Sequence, residues 1–282
     1  MNDVAPSTKR LTRFYGELSS LEAMMKALAA EGVDTAHLRP SDVYTRDLDC
    51  QNLGGFAMLA CIAGMVGEYA TLGSGERVVD VGCGLGGPGR FLVDRYGCDV
   101  TGIDLLPLRI AIAKALSAQV GWGTRIAYHV AEATHMPFPD ATFSQAWMLD
   151  VSMHVRDKTA LWREIARVVQ PDGLLVMHEQ LGPLPTVMRV VTRRAPYIAP
   201  SFVHLVRDVE AAGLRVLAWR DTTLRVVDYF RRVLARRAQQ PAATTHVARR
   251  RQERRAAAGN AYLEALTTHR GRTGILIARR RS

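Results

Sequence analysis

A hydrophobic run breaks into glycine between positions 78 and 90: Val78-Val79-Asp80-Val81-Gly82-Cys83-Gly84-Leu85-Gly86-Gly87-Pro88-Gly89-Arg90. A strand that stops in such a turn and opens a helix lets backbone amides approach a ligand closely, and it is typical of sheets built from β–α–β units. The rest of the chain keeps that rhythm. Strand-like RVVDVG (77–82), DVTGID (99–104), RIAYHVA (125–131), FSQAWML (143–149) and GLLVMHEQL (173–181) are interleaved with helical stretches through FLVDRYG, LRIAIAKALSAQVG and KTALWREIARVV. SFVHLVRDVEAAG then reads as a helix, and RVLAWRDTT (215–223) and TGILIARR (273–280) as two further strands. The pattern predicts an α/β fold, a doubly wound, mostly parallel, seven-stranded sheet with helices on both faces.

The flanks are less regular. LTRFYGELSSLEAMMKALAAEG suggests one or two helices within residues 1–40, SDVYTRDLDCQNLGG (41–55) a loop, and the stretch to Tyr69 a buried helix. Residues 1–70 are therefore expected to form a helical cover and residues 71–282 the core. GPLPTVMRVVTRRAPYIAP (182–200), with four prolines, interrupts the core as an inserted lid or a long connection, and residues 239–260 read as a loosely packed helix. With 48% hydrophobic residues the chain is not disordered, and a core of 282 residues needs no staple. The four cysteines form no C-x-x-C pair, the first residues hold no apolar signal region, and the uncharged run Leu53–Gly67 is too short to span a bilayer. These features predict a cytoplasmic protein without a membrane span. No cluster has metal-ligand spacing and no G-x-S-x-G elbow occurs, so neither a metal nor a serine nucleophile is expected.

The net charge of +10 is unevenly spread. Residues 225–282 hold fifteen arginines against Asp228, Glu253 and Glu264, a net +12, which leaves −2 for residues 1–224. Such a segment could meet nucleic acid, but it carries few aromatics for base stacking, and a solvated helix face is the simpler reading.

Gly82, Gly84 and Gly87 satisfy G-x-G-x-x-G, which alone is weak evidence for a dinucleotide site. Asp80 decides between ligands. A pyrophosphate at this turn would meet its negative charge, whereas S-adenosylmethionine, with an ammonium and a sulfonium and no phosphate, would be helped by it. Asp104 ends the second strand, where a carboxylate accepts from ribose hydroxyls; singly it is also readable as a turn residue. Glu132, in AEATHMPF after the third strand, could accept from the adenine amine, or be only a solvated loop charge.

Together these motifs resemble the class I S-adenosylmethionine-dependent methyltransferases over roughly residues 41–180. VVDVGCGLGGPGRFL is similar to the glycine motif of the small-molecule branch containing sarcosine/dimethylglycine, tocopherol and sterol methyltransferases. AEATHMPF and WMLDVSMHVRDKTALWREIARVVQPDGLLV resemble later motifs of that branch, and LDCQNLGG loosely resembles its access segment. The resemblance implies a Rossmann-like fold and assigns Asp80, Gly82, Gly84 and Gly86 to the amino-acid moiety of the cofactor. It also assigns Asp104 to the ribose, Glu132 to adenine, and Met148 and Leu149 to backbone contacts near the amino-acid end; Leu105 is a further cofactor-binding candidate, and Gln51 could close over the methyl group or only pack. Glu132 replaces the family's usual Asp, and Asn52 stands where relatives often carry His or Phe.

Methyl transfer from a sulfonium mainly requires alignment, with a base only where the acceptor must lose a proton. Asp150 and His154 follow the fourth strand: His154 either shares an acceptor proton or only packs, and Asp150 would orient an amine or hydroxyl. Tyr44 is placed to close over the methyl group or to pack. His178 and Glu179 are weaker candidates at the same sheet edge. Arg189, Arg193 and Arg194 could grip an anionic group or be solvated. Three functions remain: transfer to an N, O or C centre of a small molecule in specialised metabolism, an RNA- or protein-directed methyltransferase using the Arg-rich segment, or a non-catalytic cofactor-binding relative, for which no motif speaks. The absence of an N-P-P-Y-like motif after the fourth strand favours the first.

Overall fold

Strand β1 (Arg77–Val81) shows how the sheet is made. Val78 and Val79 point to opposite faces, yet both are fully buried, each in a separate apolar cluster. A strand buried on both faces needs helices above and below it, and the chain supplies them. The computed structural model describes residues 11, 12, 15, 20–182, 200–239, 246–268 and 271–282. Nearly all of the segment expected as a lid, with Arg189, Arg193 and Arg194, lies outside these residues.

The helices are α1 (Leu21–Ala30), α2 (Pro40–Tyr44), α3 (Gly55–Val66), α4 (Gly87–Tyr96), α5 (Pro107–Gln119), α6 (Lys158–Val168), α7 (Phe202–Ala211), α8 (Thr223–Ala238) and α9 (His246–Thr267). The remaining strands are β2 (Asp99–Asp104), β3 (Ile126–Val130), β4 (Phe143–Leu149), β5 (Val169–Leu181), β6 (Leu214–Asp221) and β7 (Arg272–Arg280), with one 3-10 turn at Ser152–His154. The seven strands lie in the order β3-β2-β1-β4-β5-β7-β6. The pairings from β3 through β5 are parallel, and β7 enters antiparallel between β5 and β6. This is the expected doubly wound, mostly parallel sheet. The order reverses between β1 and β4, so their C-terminal ends splay around a crevice, the usual ligand position in open α/β sheets.

One face packs Val78, Val100 and Val176 against α3 and α4; the other packs Val79, Val81 and Met177 against Leu161 and Ile165 of α6 and Leu205 and Val209 of α7. Asp157 starts α6 by accepting from the Ala160 amide at 2.9 Å, and Ser201 does the same for α7. Helix α1 buries Met24 and Leu28 against Leu85 of the glycine turn and Ile112 and Leu116 of α5. The N-terminal helices therefore lie on the cofactor side of the crevice.

Three local readings are corrected. Residues 41–55 are not wholly a loop: Pro40 opens the short helix α2, and Asp42 accepts from the Arg39 amide at 2.9 Å. Strand β5 starts at Val169, where the helical pattern of KTALWREIARVV was expected to continue, because Val169 pairs with Phe143. The strand expected over 215–223 ends at Asp221, and α8 follows at once. The basic segment is not an appendage. Its last strand is interior to the sheet, with Arg279 donating to the Tyr69 carbonyl at 2.9 Å and Arg280 to that of Val169. No described helix is long and apolar enough to cross a membrane.

Candidate cofactor and acceptor site

The floor of the crevice is the turn after β1. Gly82, Gly84 and Gly86 all adopt positive φ, at 72°, 57° and 82°. At Gly84 the requirement is double: the left-handed backbone disfavours a side chain, and a Cβ would collide with the Arg109 guanidinium. Asp104, at the end of β2, braces the turn by accepting from the Gly84 amide at 3.1 Å, while its other oxygen accepts from the Leu106 amide at 2.9 Å.

Asp80 lies beneath this turn, 2% exposed. Its carboxyl group takes a hydrogen bond from the Gly89 amide in α4, yet Oδ2 has no partner among the described residues. Burial first, and then the neighbouring Asp104 charge, push Asp80 up to about 7. Burial also raises Asp104, against the pull of Arg109, whose Nε lies 3.4 Å from Oδ2. Two buried carboxylates, one with an oxygen lacking a donor, fit a ligand that brings positive charge and hydroxyl groups. They do not suit a pyrophosphate.

The Ala131 amide donates to the Asp104 carbonyl at 3.1 Å, which sets exposed Glu132 beside the end of β2, its backbone bridged to His135. Leu105 is exposed at the same rim. Met148 and Leu149 are buried at the end of β4, paired with Met177 and His178. Gln51 is exposed between two buried anchors, Asp49 and Asn52. Asp49 receives two hydrogen bonds from the fully buried Arg90 of α4, at 3.0 and 2.7 Å, so the access segment is fastened to the glycine helix.

At the acceptor end, Asp150 accepts from the Leu53 amide at 2.7 Å and faces His178 Nδ1 at 3.1 Å. His154, in the 3-10 turn, meets the Tyr15 hydroxyl through Nε2 at 2.8 Å. Burial, followed by Arg109 and Lys158, lowers His154 to about 4, and burial raises Tyr15 to about 12. At neutral pH the pair is therefore an uncharged imidazole and an intact phenol, and the ring's tautomer decides which of them donates. The Tyr15 ring also lies 4.3 Å from the Arg109 guanidinium carbon, so one side chain spans both ends of the crevice. Glu179 is fully buried on β5; burial raises it and lowers Lys158 nearby.

Tyr44 is placed elsewhere. Its hydroxyl donates to Asp94 of α4 at 2.5 Å and its ring packs on Phe56 and Phe91, which holds α2 against α4. Tyr15 and Arg109 were not anticipated. Arg109 had a readable signal, a cation five positions after Asp104 across a strand–helix turn; Tyr15 had none, being 139 positions from His154. Among the described residues, no three His, Cys, Asp or Glu side chains group as metal ligands.

Residues 79–177 match a family described as "Methyltransferase domain". That segment, about a third of the chain, holds the glycine turn and both buried carboxylates and is related to class I S-adenosylmethionine-dependent methyltransferases. The chain is similar to small-molecule methyltransferases of the tocopherol and sarcosine/dimethylglycine type. It is 36% identical over 112 residues to "Probable tocopherol O-methyltransferase, chloroplastic" from Oryza sativa subsp. japonica, a match covering 38% of this chain and 31% of that protein. It is 31% identical over 163 residues to "Methyltransferase GfsG" from Streptomyces halstedii, covering 55% and 59% respectively. These alignments span less than two thirds of either relative. Among solved structures, a putative sarcosine dimethylglycine methyltransferase from Galdieria sulphuraria superposes with a TM-score of 0.70 at 18% identity, covering 80% of this chain and 86% of that one.

Proposed function

We propose that this chain transfers a methyl group from S-adenosylmethionine to a nucleophilic N, O or C centre of a small molecule in specialised metabolism. The observation that carries the reading is the buried pair Asp80–Asp104 flanking the glycine turn, with Asp80 Oδ2 lacking a partner among the described residues. When bound, the cofactor supplies a methyl group already activated on a sulfonium sulfur. Asp80, Gly82, Gly84 and Gly86 would hold its amino-acid end, Asp104 its ribose and Glu132 its adenine, with Leu105 a further contact at the rim. Met148 and Leu149 would offer backbone contacts, and Gln51 would close the access side.

This chain's residues then do two things. Asp150 orients an acceptor N–H or O–H through the lone pairs that Leu53 and His178 leave over. His154, held neutral by burial, takes a proton at an imidazole nitrogen where the acceptor must lose one, with Tyr15 fixing the ring. The reading treats residues 1–70 as a cover and 71–282 as the catalytic core. The protein would act in the cytoplasm.

The test is transfer of label from methyl-labelled cofactor to a panel of amines, phenols, carboxylates and prenyl compounds. Calorimetry with S-adenosylhomocysteine runs alongside. Labelled product from at least one acceptor, lost in Asp80→Ala, is expected; binding without transfer to any of them would overturn the catalytic reading. A preference for a nicotinamide dinucleotide would overturn the cofactor.

A further inference from the structure

Asp150 sits in an unusual backbone state. Its φ is +57°, a left-handed conformation that is strained for a non-glycine residue and persists only where neighbours hold it. His178, one strand away on β5 and completely buried, holds it twice. The His178 carbonyl accepts from the Asp150 amide at 2.8 Å, and the His178 ring meets the Asp150 carboxylate, Nδ1 lying 3.1 Å from Oδ1 and 3.2 Å from Oδ2.

A carboxylate only accepts, so the proton of this contact sits on Nδ1. The ring's other nitrogen, Nε2, lies 2.9 Å from the Thr222 hydroxyl, which in turn lies 3.0 Å from the Thr273 hydroxyl. Thr222 joins β6 to α8, and Thr273 is on β7. With a neutral ring the chain runs one way: Thr273 donates to Thr222, Thr222 to Nε2, and Nδ1–H to Asp150. Every buried atom along it is satisfied, which fixes the ring's orientation. At the far end Asp150 Oδ2 accepts from the Leu53 amide, 97 positions away in sequence.

We propose that His178 is the positioning residue of the acceptor site: backed by Thr222 and Thr273, it locks Asp150 and, through it, the access segment around Leu53. The inference rests on the acceptor-side role of Asp150 given above and adds what enforces it. It also narrows the acceptor. A carboxylate held in one orientation by N–H donors serves an acceptor presenting its own N–H or O–H, an amine or an alcohol or phenol, and disfavours one presenting a carboxylate.

Two measurements on the full chain test this without needing the acceptor. Nitrogen-15 NMR of the imidazoles should show one histidine with a slowly exchanging Nδ1 proton and an unprotonated Nε2, absent in His178→Leu. Hydrogen exchange should show the peptide around Leu53 exchanging about tenfold faster in His178→Leu, the loss of roughly one net hydrogen bond. S-adenosylhomocysteine affinity should stay within about threefold, since the glycine turn is untouched. His178→Asn, whose amide nitrogen falls near the Nδ1 position, should restore much of the protection, and Thr222→Val should give a smaller increase in a protein whose ring still reaches Asp150. Unchanged protection at Leu53 in both His178→Leu and Thr222→Val would overturn the proposal. So would an Nε2-protonated tautomer, or, should His178→Leu not fold, unchanged protection in Thr222→Val alone. The methyl-transfer reading fails separately, by absence of labelled product in the parent protein.

Discussion

The two ends of the crevice are built differently. On the side proposed for the cofactor, Asp80, Gly82, Gly84, Gly86 and Asp104 all come from two neighbouring strands and the turns that end them. On the acceptor side the defining contacts join residues far apart in the chain: Tyr15 to His154 over 139 positions, Leu53 to Asp150 over 97, His178 to Thr222 over 44. The first end is local geometry imposed by a strand–turn–helix. The second is an assembly of segments that need not change together, so one cofactor site can serve many acceptors.

If the cofactor end is the rigid half, Gly84→Val should have the largest effect of any single change. Its side chain would need left-handed backbone and the space of the Arg109 guanidinium. Affinity for S-adenosylhomocysteine, read by calorimetry, should fall by about 100-fold or more. Binding within a few-fold of the parent would break the comparison at its strongest point.

Asp80→Asn sharpens it by separating function from stability. Cofactor affinity should drop by roughly 30-fold, for want of a charge opposite the ammonium. Stability should move the other way. Asp80 ionises near 3.8 in the unfolded chain and at about 7 when buried, so between those values the folded protein binds the extra proton. Its stability is therefore full below about pH 4 and declines as pH rises through 7. The amide cannot ionise, so Asp80→Asn should be more stable than the parent at pH 8, on the order of 2 kcal/mol, and nearly equal at pH 4. Thermal melts at the two pH values decide. A variant less stable than the parent at pH 8 would mean that Asp80 ionises without penalty.

The same contrast explains what the sequence made legible. Alternating strand and helix patterns placed all seven strands: an interior strand such as β1 is buried on both faces and written as a near-continuous apolar run, while the edge strand β3 alternates buried and exposed positions. The glycine turn and Asp104 could be read because their spacing along the chain is their spacing in space. Tyr15 and the Leu53–Asp150 contact could not, since nothing in a linear pattern encodes which distant segment folds back. Helix α8 was missed because its polar, arginine-rich face hid the apolar one, of which Val226 and Val227 are buried. For Tyr44 the pattern leaves closing over the methyl group and packing both open, since proximity to Gln51 in sequence suggests a shared site; α2 turns its ring toward α4, which favours packing.

His154→Ala probes the acceptor end alone. Turnover on a proton-bearing acceptor should fall by about 10- to 100-fold with cofactor affinity unchanged, and Tyr15→Phe should cost about fivefold by loosening the ring. Because burial lowers His154 to about 4, the acid limb of the parent's rate profile should lie near pH 4, not near 6.5. An acid limb near 6.5 that persists in His154→Ala would assign the proton to another group. Parallel losses in turnover and cofactor affinity would erase the distinction between the two ends.

Tyr44→Phe should have the smallest effect, and it checks whether a residue between the two ends belongs to neither. The substitution deletes only the hydroxyl that donates to Asp94, leaving the ring among Phe56 and Phe91. A hydrogen bond to a carboxylate contributes about 1–2 kcal/mol, so the melting temperature should fall by about 2–4 °C in a chain of this size. Turnover and cofactor affinity should stay within about twofold, because the hydroxyl points to α4 and not to the ends of β1 and β4. The reverse result, an unchanged melting temperature with turnover down about tenfold, would return Tyr44 to the acceptor site and make α2 part of the chemistry.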